Sequence, residues 1–205
     1  YPVRRKMDTK EKILLGMLDL VAETGLEKAS IGRLCKKIKV SPGNVYFYFS
    51  SKVELLNTLY HYCISSLMDS IKLESYSDIS TDAEVSEYTT LMEDLIKSVI
   101  YFFKSNPNML NFVITSKSSC YLSDEIKRGR YKGTSFFYSF WEKSKDKGIL
   151  KDVSTEFIIA YILGIIYEFM KEDIIFQNIS LDDEKIDMLN DLIWSGLRLD
   201  NQAWS

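Results

Sequence analysis

The chain has 205 residues, 46% hydrophobic and 13% aromatic, enough to bury a substantial core and too apolar for a disordered segment. Three prolines and nine glycines leave few breaks for a strand-rich fold, and three scattered cysteines, Cys35, Cys63 and Cys120, form neither a disulfide framework nor a thiolate metal site. The net charge of −3 divides unevenly: residues 1–53 hold eleven basic against five acidic side chains, a balance of +6 with −9 in the remainder, so a polyanionic partner is expected for the N-terminal part alone.

In chain order, Asp8 and Glu11 have the spacing of a capping box, after which Leu14, Met17, Leu18 and Val21 repeat at helical spacing until Gly25 offers a stop. Ser30 is a good N-cap for a two-turn helix with Ile31, Leu34, Cys35 and Ile38 on one stripe. Ser41 can cap a third short helix that has Pro42 at its first position and runs to about Tyr48. A cap at Ser50 or Ser51 starts a fourth, through Leu55, Leu56, Leu59, Tyr62 and Cys63 to about Lys72. A loop is predicted at 74–83, then helices at about 84–104, 107–116, 121–147, 153–176 and 182–198. The expectation is an all-α protein of about nine helices: a three-helix head over 1–52 and a larger helical domain over 53–205.

Two short helices joined by a tight turn, with a basic bias, have the form of a helix-turn-helix whose second helix enters the major groove. The run Ser41-Pro42-Gly43-Asn44-Val45-Tyr46-Phe47-Tyr48-Phe49, followed by Ser51-Lys52-Val53-Glu54-Leu55-Leu56, closely resembles the recognition helix and the segment after it in the tetracycline-repressor-like (TetR) family. The resemblance covers about Thr9 to Leu56. It implies that Tyr46 and Tyr48 donate to phosphates, that Lys52 neutralises one, and that Pro42, Gly43, Asn44 and Phe47 approach base edges. Spacing puts Val45 and Phe49 toward the core of the head. The Asn44 amide suits bidentate pairing with adenine, and Phe47 suits a thymine methyl. Ser30 is a plain N-cap, a phosphate donor, or both, and Ser41 stands with it among the expected DNA contacts.

Two positions depart from the family pattern. Lys39 stands where glycine is common in the turn, so it must adopt an unfavourable backbone conformation or change the turn. Gly32 stands where many members carry a basic residue, leaving Arg33 to take over or point to solvent. Arg4, Arg5 and Lys6 are either an arm reaching DNA or residues preceding a native start at Met7.

The second half holds most of the aromatics. The resemblance implies an inducer pocket among its central helices, for which Phe103, Phe112, Phe137, Trp141 and Tyr161 are the candidate lining, and a homodimer through the last two helices. Core packing is the competing reading for each aromatic. Residues 153–176 are apolar on nearly every face, which for a soluble helix requires burial on both sides, and Gly164 permits close approach by another helix. Glu168 either counters a cationic ligand or faces solvent beside Lys171. His61 lacks metal-ligand neighbours, and no nucleophile-base pair or phosphate loop is visible, so neither cofactor, metal nor catalysis is expected. No secretory or membrane-spanning segment is recognised, and the apolar run Phe157 to Met170 is too short to cross a bilayer. The expectation is a cytoplasmic, dimeric regulator that binds a pseudo-palindromic double-stranded operator, most often a repressor released by a small hydrophobic ligand. The alternative is a DNA-binding dimer that answers a protein partner or nothing.

Overall fold

The computed structural model describes residues 8–71, 84–127 and 135–199, the side chains of 135–137 excepted. The basic run Arg4 to Lys6, the loop over 74–83 and the side chain of Phe137 lie outside the described residues. Ten helices are described: α1 Thr9–Thr24, α2 Ile31–Ile38, α3 Pro42–Tyr48, α4 Lys52–Ser70, α5 Val85–Ser105, α6 Pro107–Lys117, α7 Asp124–Lys127, α8 Ser135–Asp146, α9 Thr155–Ile174 and α10 Asp183–Leu197. Among the described residues there is no strand, only an isolated bridge between Leu150 and Arg198.

The local signals act largely as read. Ser30 and Ser41 accept from the backbone N–H of Arg33 and Asn44, Pro42 occupies the first turn of α3, and Gly25 ends α1 with φ 79°. Lys39 takes the first of its two options, a left-handed conformation at φ 56° and ψ 53° that ends α2. The capping box does not form. Asp8 makes no side-chain cap bond, and the Glu11 carboxylate accepts instead from the Tyr62 hydroxyl of α4 at 3.2 Å. The helix predicted from 121 begins at Asp124, because the preceding residues are engaged elsewhere: Tyr121 offers its carbonyl, and Ser123 its backbone N–H, to the side-chain amide of Asn57.

By packing, the chain falls into two compact units, one comprising Tyr1–Ser66 and Asn106–Arg130, the other Leu67–Ser105 and Tyr131–Ser205. The first therefore holds more than the three-helix head. Its core draws on Ile13, Met17, Leu34, Val45, Phe49, Leu55, Leu56 and Leu59, and α6 adds Leu110, Phe112 and Val113. Asn108 of α6 donates to the Asp19 carboxylate of α1 at 3.2 Å. A Cβ at Gly16 would collide with Ile38 and Leu34, so the glycine allows α1 and α2 to approach closely.

In the second unit α9 buries a stripe of Thr155, Ile158, Ile162, Ile166 and Met170, and α10 buries Ile186, Leu189, Asn190, Ile193, Trp194 and Leu197. Polar rungs join α5 to the ends of these helices. Lys97 pairs with Asp187 at 2.6 Å, Tyr101 donates to Asp183 at 3.0 Å, and Lys104 bonds the Leu181 carbonyl while lying 3.6 Å from Asp173. Glu168 is exposed and paired with Lys171 at 2.5 Å, which favours its solvent-facing reading. No described helix is long and apolar enough to cross a membrane.

Candidate nucleic-acid interface

The seven residues of α3 divide sharply between faces. Val45 is 0% exposed and Phe49, just after the helix, 1%, whereas Tyr46 is 55% and Phe47 81% exposed. A helix of two turns has one side to bury, and i, i+4 spacing commits Val45 and Phe49 to it. What remains outward is a pair of large aromatic side chains together with Pro42, Gly43 and Asn44, all exposed at the helix start. Tyr48 is half-buried, and its ring meets that of Phe47 edge to face at 5.0 Å. An exposed Phe next to a tyrosine hydroxyl is costly in water and suited to the mixed apolar and phosphate surface of a DNA groove.

The cations around α3 come mostly from α2. Arg33, Lys36 and Lys39 are exposed, while Lys37 is held at 2.5 Å by Glu23 of α1. Gly32 is open, with no atom within contact of an added Cβ, so the missing basic residue leaves a gap on the α2 surface. Ser30 and Ser41 both spend a hydroxyl lone pair on capping.

Lys52 makes its contacts within the first unit. Its ammonium is turned into the first unit, donating to the Leu26 carbonyl at 2.9 Å and lying 3.5 Å from the Glu27 carbonyl and 4.3 Å from the centre of the Tyr121 ring. Burial pushes its pKa below the ordinary lysine value, and the charges of Glu27 and Cys120 partly restore it. Tyr121 is a functional candidate that sequence reasoning missed. Nothing in its local pattern marks it, because its partners, Lys52, Glu27 and Asn57, all lie in distant segments.

The expected ligand-lining residues are distributed over the two units. Phe112 belongs to the first unit, fully buried against Tyr60 with ring centres 6.4 Å apart. Tyr161 packs on Gly196, the α10 position where an added Cβ would strike its hydroxyl. Phe103 and Trp141 are buried in the second unit, Phe103 edge to face with Tyr167 at 5.7 Å and Trp141 with Phe140 at 5.1 Å. A groove of about 410 Å³ on that unit is walled instead by Phe169, Leu181, Met188, Leu189 and Leu192, with Ser180 and Lys185. Cys35 and Cys63 are buried, the Cys63 thiol pushed up to about 12 by burial and hence inert, whereas Cys120 is exposed. Among the described residues no group of three or more His, Cys, Asp or Glu is placed to hold a metal.

Comparison with known proteins agrees with this layout. Residues 13–62 match the family described as bacterial regulatory proteins, tetR family, and residues 60–199 match the tetracyclin repressor-like C-terminal domain. An HTH-type transcriptional regulator of Bacillus subtilis, YvdT, is 27% identical over 149 residues, covering 71% of this chain and 70% of the relative. The nucleoid occlusion factor SlmA of Actinobacillus pleuropneumoniae is 24% identical over 125 residues, covering 61% and 57%. The crystal structure of a TetR family transcription regulator from Marinobacter aquaeolei superposes with a TM-score of 0.77 at 18% identity, covering 93% of this chain and 96% of that one. With the outward aromatic face of α3 inside the first match and the helices from α5 onward inside the second, the chain belongs to the TetR family of DNA-binding transcriptional regulators.

Proposed function

We propose that the protein is a cytoplasmic, dimeric repressor that reads a pseudo-palindromic operator with α3 and is released by a small, largely hydrophobic ligand. The observation that carries the DNA reading is the exposed pair Tyr46 and Phe47 on a helix otherwise anchored by Val45 and Phe49. Tyr46 and Tyr48 donate to phosphates, and Ser30, Arg33 and Ser41 position the head on the backbone. Asn44 reads adenine, Phe47 a thymine methyl, and Gly43, with no Cβ, lets the duplex approach beside Pro42. Two such heads about one helical turn apart, roughly 34–36 Å, address the two half-sites. The DNA-binding domain in this reading is 1–52, with ligand binding and pairing in 53–205.

Phe103, Phe112, Phe137, Trp141 and Tyr161 are the candidates for the ligand site. Among the described residues Trp141 Nε1 and the Tyr88 hydroxyl are buried without a hydrogen-bond partner, and Tyr88 stacks on Phe140, the neighbour of Trp141. Buried donors of this kind are normally satisfied, so an acceptor on a ligand that inserts among these rings would find partners waiting. The tight packing of Phe103 and Trp141, 1% and 2% exposed, supports the second reading, a regulator answering a protein partner or none. So does the similarity to a nucleoid occlusion factor.

Selection from a randomised DNA pool at two salt concentrations, beside an Asn44→Ala, Tyr46→Ala variant, tests the first part. Enrichment of a pseudo-palindrome that the variant fails to enrich is expected; equal enrichment by both proteins would remove α3 from the interface. The enriched duplex then serves as the probe in a screen of hydrophobic small molecules. Displacement supports the ligand reading, and its failure across the screen moves the weight to partner control.

A further inference from the structure

We propose that Lys52 is a positioning residue of the DNA-binding head rather than a phosphate contact, and that Tyr121 sets DNA affinity through it without touching DNA. This rests on the reading of α3 as the DNA-reading helix. Lys52 opens α4 directly after α3, and Leu26 and Glu27 lie in the connection between α1 and α2. The ammonium therefore ties the exit of the reading helix to the approach of α2, two points that fix how α3 is presented.

The tie is closed from the other side by Tyr121. Its ring covers the ammonium at 4.3 Å from the centroid, a cation–π geometry, and its hydroxyl donates to the Glu27 carboxylate at 2.9 Å. Asn57 holds the backbone of the same segment, donating to the Tyr121 carbonyl at 2.8 Å and accepting from the Ser123 N–H at 2.9 Å. The Asn57 amide is itself fixed by the Val53 carbonyl at 2.7 Å, one turn back on α4. Tyr121 is thus pinned at its ring tip and at its backbone, and its ring cannot leave the Lys52 ammonium without breaking the bond to Glu27. For Lys52 to reach a phosphate it would give up a charge-assisted bond to Leu26 and a partly desolvated ring contact, in exchange for one exposed ion pair screened by salt.

Salt dependence separates the two roles, because each phosphate neutralised adds about 0.9 to the slope of log K against log salt. Lys52→Met, Tyr121→Leu, their double variant and Tyr121→Phe are compared in the full chain. Two probes are used, the duplex enriched from the pool and a mixed-sequence duplex. Lys52→Met and Tyr121→Leu are each expected to weaken binding of the enriched duplex by roughly tenfold with the slope unchanged. The double variant should be no worse than the poorer single, and Tyr121→Phe, which keeps the ring face, should retain most of the affinity. A slope shallower by about 0.9 for Lys52→Met, additive losses, or parental affinity in Tyr121→Leu would each overturn the proposal. If the parent enriches no sequence, the DNA-reading interpretation of α3 fails on its own. The positioning role is then decided by the mixed-sequence slope and by amide exchange in DNA-free protein. Faster exchange in α2 and α3 of Tyr121→Leu is expected, and unchanged exchange in that variant would refute it. Should Lys52→Met fail to fold, the two Tyr121 variants carry the same comparison.

Discussion

At the scale of single residues, Lys39 shows how a rule of sequence can be broken and the structure still built. The left-handed conformation that ends α2 lets the N–H groups of Lys39 and Val40 both reach the Cys35 carbonyl, the second at 3.1 Å. A residue with a Cβ is disfavoured there by about 1–2 kcal/mol. Glycine removes that strain but loses about 0.5–1 kcal/mol of backbone entropy on folding. Lys39→Gly is therefore expected to raise stability by roughly 0.5–1 kcal/mol, seen as a higher urea midpoint with the same m-value. An unchanged or lower midpoint would mean that the turn is not strained. Since Lys39 is exposed beside the basic α2 surface, the same variant should also bind DNA more weakly at low salt, which would explain why a strained lysine stands in place of glycine.

At the scale of elements, what could be read in advance was what is local. Ser30, Ser41, Pro42 and Gly25 set their helix ends with partners within four residues, and their signals need no tertiary knowledge. Glu11 was misread because Tyr62 outcompetes the local cap, and the start of α7 was misread because Asn57 captures the residues before it. The cap of α10 is local, and it makes a titratable element. Asp182 accepts from the Lys185 N–H at 3.0 Å and from its ammonium at 2.6 Å, and these side-chain and backbone bonds hold its carboxyl below the usual range. A carboxyl depressed in the folded state contributes stability that is present above its unfolded pKa, about 3.9, and is lost as pH falls through the lower folded value. Amides of the first turn of α10 should therefore exchange faster as pH drops below about 4, after correction for the intrinsic pH dependence of exchange. In Asp182→Asn, which can still cap but does not titrate, that step should disappear. A step that survives in the variant would assign the fraying to another carboxylate.

At the scale of the whole molecule, the aromatic-rich second half was the least legible part, because composition cannot distinguish a filled core from a lined cavity. Phe112 packs against Tyr60 and Tyr161 against Gly196. The apolar periodicity of 153–176 was more informative. With Ile158, Ile162, Ile166 and Met170 turned inward, Phe157 and Phe169 remain exposed on α9, and Met188 and Leu192, one turn apart, remain exposed on α10. Gly164 is also exposed, with open space where a Cβ would stand. An apolar face of this kind, continuous with the groove walled by Phe169, Met188 and Leu192, is unfavourable in water and supports pairing of two chains through α9 and α10. Burying the exposed half of each such side chain against a second copy is worth about 1 kcal/mol. Met188→Glu with Leu192→Glu is therefore expected to convert a dimer to a folded monomer in sedimentation, because both positions are exposed within one chain and tolerate charge there. The consequence for DNA is steeper than the change in mass. A dimer binds its second half-site at the effective concentration set by the first, and a monomer loses that advantage. The variant should keep the parental affinity for an isolated half-site while losing most of its affinity for the full pseudo-palindrome. A variant that stays dimeric would move the interface elsewhere on the chain, and a monomer with full operator affinity would show that the two heads bind independently.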